Sequence, residues 1–148
     1  MALGVGYNAA VSVLGLDLGE KRVGVAIAEP PTYVAVPSCI LPARPQNQLI
    51  SALRRLATER GVKHLVVGLP VELSGQEGDS ARACREAGRA IAEELGCSVS
   101  FVDERFSSEE AEKRLVAAGR RRADRRKFRD ALAAALILDT YLAKSKRC

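Results

Sequence analysis

Tryptophan is absent from this chain and histidine occurs once, at His64. Three Phe and three Tyr complete the aromatics, too few for a protein that grips nucleic acid by stacking bases on rings. Cys39, Cys84, Cys97 and Cys148 are widely spaced, with no Cys-x-x-Cys pair. With only His64 beside them they do not make a zinc set. They are expected to be reduced thiols in a cytoplasmic protein, with Cys84 and Cys97 buried as small hydrophobes. Val11–Leu16 is too short and too interrupted for a membrane segment, and Met1–Ala10 lacks the basic start of a signal segment. No membrane partner is expected. Residues 1–10 read as a loose tail ahead of a single domain over 11–148.

What the chain does have is positive charge. Twenty-three Lys and Arg face eighteen Asp and Glu, a formal net charge of +5. The excess is concentrated between Gly119 and Asp130, where Arg120, Arg121, Arg122, Arg125, Arg126, Lys127 and Arg129 surround the single acid Asp124. Such a block repels itself, reads as a mobile loop, and is best neutralised by a phosphate backbone. A solvated surface face is the plainer alternative.

The periodicity gives an α/β fold. Val11–Asp17 and Arg22–Ala28 are apolar, β-branched runs joined by a turn at Leu18–Lys21, hence a hairpin. Tyr33–Val36, between Pro31 and Pro37, reads as a third strand. Helical spacing of Leu49, Ile50, Leu53, Leu56 and Ala57 follows, stopped by Gly61. His64–Gly68 is a short buried strand, Asp79–Leu95 a helix ending at Gly96, and Val99–Asp103 another strand. Ser107 and Glu110 form a capping-box pattern that opens a helix to about Ala118. Phe128–Ala143 is the last helix, with Ala131–Leu138 apolar all round and so largely buried. The order implies a mixed sheet: a three-strand antiparallel meander extended by parallel strands and flanked by helices.

Sites in such sheets form beyond the carboxyl ends of the parallel strands. Asp17, Gly68 and Asp103-Glu104 fall at such ends. Asp17 is either a ligand-binding carboxylate or a turn Asp bonding the following amides. Asp103 and Glu104 point to opposite faces of a strand, so one of them can face a shared site, or both can serve the helix that follows. Asp130 opens the buried helix, where an acid also suits the helix dipole. If acids from these three places converge, they repel one another, and a divalent cation removes the conflict. Oxygen-only ligands favour Mg²⁺ or Mn²⁺ over Zn²⁺.

Leu14-Gly15-Leu16-Asp17-Leu18-Gly19-Glu20-Lys21-Arg22-Val23-Gly24-Val25-Ala26 resembles the opening signature of the YqgF (RuvX) family. Val67-Gly68-Leu69-Pro70 followed by Gly75 is similar to its central motif. Val102-Asp103-Glu104-Arg105-Phe106-Ser107-Ser108 resembles its third motif, with Phe106 for the usual Leu and Ser107-Ser108 for Thr-Thr. Asp130–Leu138 with Tyr141-Leu142 resembles its C-terminal helix. The motifs occur in order over nearly all the chain after residue 12.

The resemblance implies a ribonuclease-H-like fold and a nuclease that matures the 5′ end of pre-16S rRNA or resolves Holliday junctions. It also implies that Asp17, Glu104 and Asp130 are the catalytic, metal-binding acids, and so selects Glu104 over Asp103. On that reading a Mg²⁺ or Mn²⁺ pair assists phosphodiester hydrolysis. Lys21, Arg22, Arg105 and the block Arg120–Arg129 are candidates to bind the nucleic acid, either structured RNA or branched DNA. A junction substrate would call for a homodimer with two sites on paired strands. A nucleic-acid-binding module without catalysis is a second reading. An actin-like ATPase, which also opens on an Asp-x-Gly hairpin, needs a second such domain for which the chain has no room.

Overall fold

The computed structural model describes residues 11–70, 76–104, 107–119 and 122–146, with the side chains of 107–109, 122–127 and 145–146 excepted. Five strands form one sheet: β1 (Ser12–Leu18), β2 (Arg22–Ala28), β3 (Val36–Pro42), β4 (Val62–Leu69) and β5 (Ser98–Asp103). Their spatial order is β3-β2-β1-β4-β5. β2 runs antiparallel to β1 and β3. β4 is parallel to β1, and β5 is parallel to β4. The helices are α1 (Gln46–Arg60), α2 (Asp79–Leu95), α3 (Ser107–Ala117) and α4 (Arg122–Lys146).

Strand alternation sorts the side chains into two layers. Leu14, Leu16, Val23, Val25, Leu65 and Val67 face α1 and α2, meeting Leu49, Ile50 and Leu53 of α1 and Ile91 and Ala92 of α2. The opposite face carries small residues. Ala26, Ala28 and Val66 there meet Ala134, Ile137 and Leu138 of α4, and α3 packs on the outside of α4 through Ala111 against Ala133 and Leu136. Small residues let α4 lie close to the sheet. A methyl group at Gly24 would stand 1.9 Å from the Asp130 carbonyl oxygen, and one at Gly68 would stand 2.5 Å from Ile137 Cδ1 and 3.0 Å from Glu104 Cβ. This contact fixes where the head of α4 and the end of β5 sit relative to the strand ends.

The structure corrects three of the sequence expectations. The third strand does not begin at Tyr33. Tyr33 has φ 52°, its amide donates to the Glu29 carbonyl at 2.8 Å, and its hydroxyl donates to the Val11 carbonyl at 2.8 Å. It therefore belongs to a turn, and the strand runs through Pro37, tolerated because β3 is an edge strand. The last helix starts six residues before Phe128, at Arg122. The basic stretch from Arg122 is helical instead of a loop, because arginine is a good helix former. Cys84 and Cys97 are half-buried, not core residues. Residues 1–10 and Cys148 lie outside the described residues, and so do the side chains of the Ser107 capping pattern. Within those described, no helix is long and apolar enough to cross a membrane.

The seat of α4 on Gly24 is testable. Gly24→Ala should lower the unfolding free energy by about 3 kcal/mol or more, at the upper end of overpacking penalties, because the obstacle is backbone. Urea denaturation would show it, and a loss under about 1 kcal/mol would contradict the close approach.

Candidate active site at the strand ends

Asp17 lies one residue from the end of β1, and Glu104 follows directly on β5. β4 runs between those two strands. Register places Leu16 beside Val67, and Gly68 beside Val102. Asp17 shares a face with Gly15, and Glu104 with Val102, so both point towards α4. The Glu104 amide donates to the Leu69 carbonyl at 3.0 Å, which holds the residue against the end of β4. Because Gly68 has no side chain, nothing from β4 stands between the two carboxyls.

The carboxyls meet in a hydrogen bond. Burial raises both pKa values, the Asp17 shift being further raised by the negative charge of Asp130. Burial, then the charge of Asp17, pushes Glu104 up to about 9. At neutral pH the pair therefore holds one proton, with Glu104 donating to the Asp17 carboxylate. Asp103 is exposed on the other face, as strand alternation requires.

Asp130, at the head of the buried part of α4, is near enough to act on Asp17 electrostatically but its carboxylate is turned to cations. Arg22 Nε donates to its Oδ2 at 3.0 Å, and Arg129 Nε lies 3.9 Å from Oδ1. Among the described residues no three His, Cys, Asp or Glu side chains form a cluster shaped to hold an ion. The structure thus brings Asp17 and Glu104 into contact and leaves Asp130 beside them, engaged with Arg22. The donor chemistry fits a hard divalent cation: two desolvated carboxyls that now need a proton to coexist, with a third acid adjacent.

Cys84 of α2, which sequence reasoning placed in the core, lies against this site. Its thiol is 4.0 Å from the Leu18 carbonyl, and burial followed by the charges of Glu104 and Asp17 pushes its pKa up to about 11. In the metal-free protein it stays a neutral thiol at neutral pH. No pattern in the sequence pointed to it. His64 is remote from the acids in role: it hydrogen-bonds Ser98 Oγ at 2.6 Å and Ser100 Oγ at 2.9 Å, and its ring stacks on Tyr141 at 5.3 Å.

Of the candidate phosphate-binding cations, Lys21 lines an open cavity with Glu20 and Arg44, while Arg22 is bound to Asp130. Arg105, Arg120 and Arg121 lie outside the described residues. Arg122, Arg125, Arg126 and Lys127 occupy the first turns of α4, and their side chains are not described. Arg44 was not among the sequence candidates.

Comparison with known proteins agrees with this architecture. Residues 11–144 match the model of the family RuvX, described as Holliday junction resolvase. A Chloroflexus aggregans protein named "Putative pre-16S rRNA nuclease" is 40% identical over 131 residues, covering 88% of this chain and 92% of that protein. A protein of the same name from Syntrophomonas wolfei is 39% identical over 130 residues, with coverage of 88% and 92%. Among solved structures, Thermus thermophilus RuvC superposes with TM-score 0.55 at 16% identity, covering 92% of this chain and 97% of that one. RuvC from T. thermophilus in complex with a Holliday junction substrate superposes with TM-score 0.54 at 14% identity, with coverage of 91% and 96%. The fold is the ribonuclease-H-like fold expected from the sequence.

The shared proton has a measurable sign. Glu104 carries its proton in the folded state from its ordinary 4.5 up to about 9, so between those values the folded state binds more protons than the unfolded one. Stability of the metal-free protein must then fall as pH rises through that window. In chelator, the melting temperature should drop from pH 5 to pH 9. Glu104→Gln should remove most of that slope and be the more stable protein at pH 9; equal slopes would contradict the pairing.

Proposed function

The chain belongs to the RuvX family, and from that premise we propose that it is a divalent-metal-dependent nuclease that hydrolyses phosphodiester bonds in structured RNA, with 5′-end processing of pre-16S rRNA as its role. The observation that carries this reading is the buried Asp17–Glu104 pair. Two carboxyls desolvated together are costly unless something positive joins them. A proton does so in the metal-free protein. Asp17 and Glu104 would hold Mg²⁺ or Mn²⁺ in its place, with Asp130 as the third acid.

When bound, such ions supply a lowered pKa for an attacking water and charge to stabilise the leaving oxygen. The protein's own part is positional. Gly68 leaves room for the two acids to meet, and the seating of α4 on Gly24 brings Asp130 up beside them. Asp130 in turn can exchange Arg22 for a metal, which frees the Arg22 guanidinium for a phosphate of the substrate. The basic first turns of α4, with Arg105, Arg120 and Arg121, supply backbone affinity that weakens steeply with salt.

A second reading, cleavage of branched DNA, is favoured by the description of the family model and by the likeness to RuvC. It requires two sites in a homodimer. Both relatives named above, with about nine-tenths of each chain covered, weigh towards RNA.

The test compares pre-16S rRNA, a generic RNA hairpin and a four-way DNA junction, each with Mg²⁺, Mn²⁺ or chelator. Cleavage should need the metal and be strongest on the rRNA precursor. Asp17→Ala should lower the rate by at least about a hundredfold while binding in chelator stays within about threefold of wild type, because the phosphate-binding cations are untouched. Metal-independent cleavage, or an active Asp17→Ala protein, would overturn the assignment.

A further inference from the structure

Between the β1–β2 turn and the segment that leads into α1 lies an open depression of about 550 Å³ lined, among the described residues, by Glu20, Lys21 and Arg44, all three exposed. Backbone hydrogen bonds fix its position. The Gly19 amide donates to the Arg22 carbonyl at 2.9 Å, so Glu20 and Lys21 form the tip of a tight turn. A methyl at Gly19 would stand 2.7 Å from that same carbonyl oxygen. The Ala43 amide donates to the Lys21 carbonyl at 2.9 Å. This pins the tip to the segment after β3, next to Arg44 in the chain.

The charges in this cavity are unspent. Most described arginines are committed: Arg54 to Glu94, Arg60 to Glu29, Arg85 to Glu77, Arg114 to Glu110 and Arg22 to Asp130. Among the described residues neither Lys21 nor Arg44 forms an ion pair, although Glu20 shares their cavity. Two cations that line one depression and make no ion pair suit an anion. The carboxylate beside them decides which anion, since Glu20 would repel a bare phosphate but can accept a hydrogen bond from a donor attached near it. In a nucleic acid strand the ribose 2′-hydroxyl is such a donor next to the phosphate, and deoxyribose lacks it.

We propose that this cavity is a ribonucleotide subsite, in which Lys21 and Arg44 hold a backbone phosphate and Glu20 accepts the 2′-hydroxyl of the same strand. It rests on the nuclease reading only for its place in the reaction. Two residues, Leu18 and Gly19, separate Asp17 from Glu20, a backbone reach of at most about 11 Å, so the subsite lies a short way along the strand from the acids. It selects RNA over DNA by sugar chemistry instead of base sequence, and Glu20, Lys21 and Arg44 are positioning residues.

Fluorescence anisotropy in chelator, with the full chain and two labelled single-stranded 20-mers of one sequence, RNA and DNA, tests this without cleavage. Wild type should favour RNA. Glu20→Ala should shrink the RNA-over-DNA preference by about tenfold, with DNA affinity unchanged or higher. Arg44→Ala and Lys21→Ala should weaken both strands by a similar factor and flatten the salt dependence; circular dichroism confirms that each variant is folded. An unaltered preference in Glu20→Ala, or unaltered affinities in Arg44→Ala, would overturn the subsite. Neither outcome bears on the nuclease reading, which fails separately if the wild type does not cleave RNA or DNA with Mg²⁺ or Mn²⁺.

Discussion

Two carboxyl groups held together away from water are the constraint on which this protein's arrangement depends. Asp17 and Glu104 come from strands that are not neighbours, and they meet over β4 because its residue at that level is Gly68. Burial, and then the charge of Asp17, raises the Glu104 ionisation far above an ordinary carboxylate, so that a shared proton meets the cost of desolvating two acids at one point. A structure built for stability alone has cheaper ways to end two strands. Replacing a buried polar pair with apolar groups of similar volume is often neutral or stabilising. That contrast supports the proposed reading of the pair as a binding site.

The rest of the fold brings that point into being. Large apolar residues on one face of the sheet anchor α1 and α2, while glycine and alanine on the other admit α4 to backbone distance. Close seating of α4 carries Asp130 to the edge of the acid pair and places Arg22, from β2, against it. The Arg22–Asp130 contact is half open to solvent on the arginine side, with 49% of that side chain exposed. Such pairs contribute little to stability, so the contact can be exchanged for a ligand at small cost. Packing and chemistry thus share the same residues: a substitution that lifts α4 off the sheet also withdraws the third acid.

Much of this was legible in the sequence, for identifiable reasons. Strands β1, β2, β4 and β5 and helices α1 and α2 carry strong periodicity and glycine stops, and their limits follow from those. Alternation put Asp103 and Glu104 on opposite faces, and the family resemblance pointed to Glu104 as the one that faces the site. The misreadings also have physical causes. Tyr33 looks like strand by residue type, but a left-handed backbone puts it in a turn. The arginine block looked too self-repelling to be ordered, yet from Arg122 onward it is helix, as the helix propensity of arginine allows. Cys84 and Arg44 came to light only in three dimensions. A thiol on a helix and an arginine between prolines carry no periodic signal, and their significance comes from Leu18 and Lys21, distant in sequence.

The central claim, that the acid pair is a divalent-cation site with a proton standing in for the metal, is most directly tested by calorimetry. Mn²⁺ should be titrated into the protein at pH 7.5 in buffers of differing ionisation enthalpy. Since Glu104 must surrender its proton to bind metal, binding should release close to one proton per site, and Glu104→Gln should bind far more weakly with no release. Mn²⁺ binding without proton release, or binding unaffected by Glu104→Gln, would contradict the account.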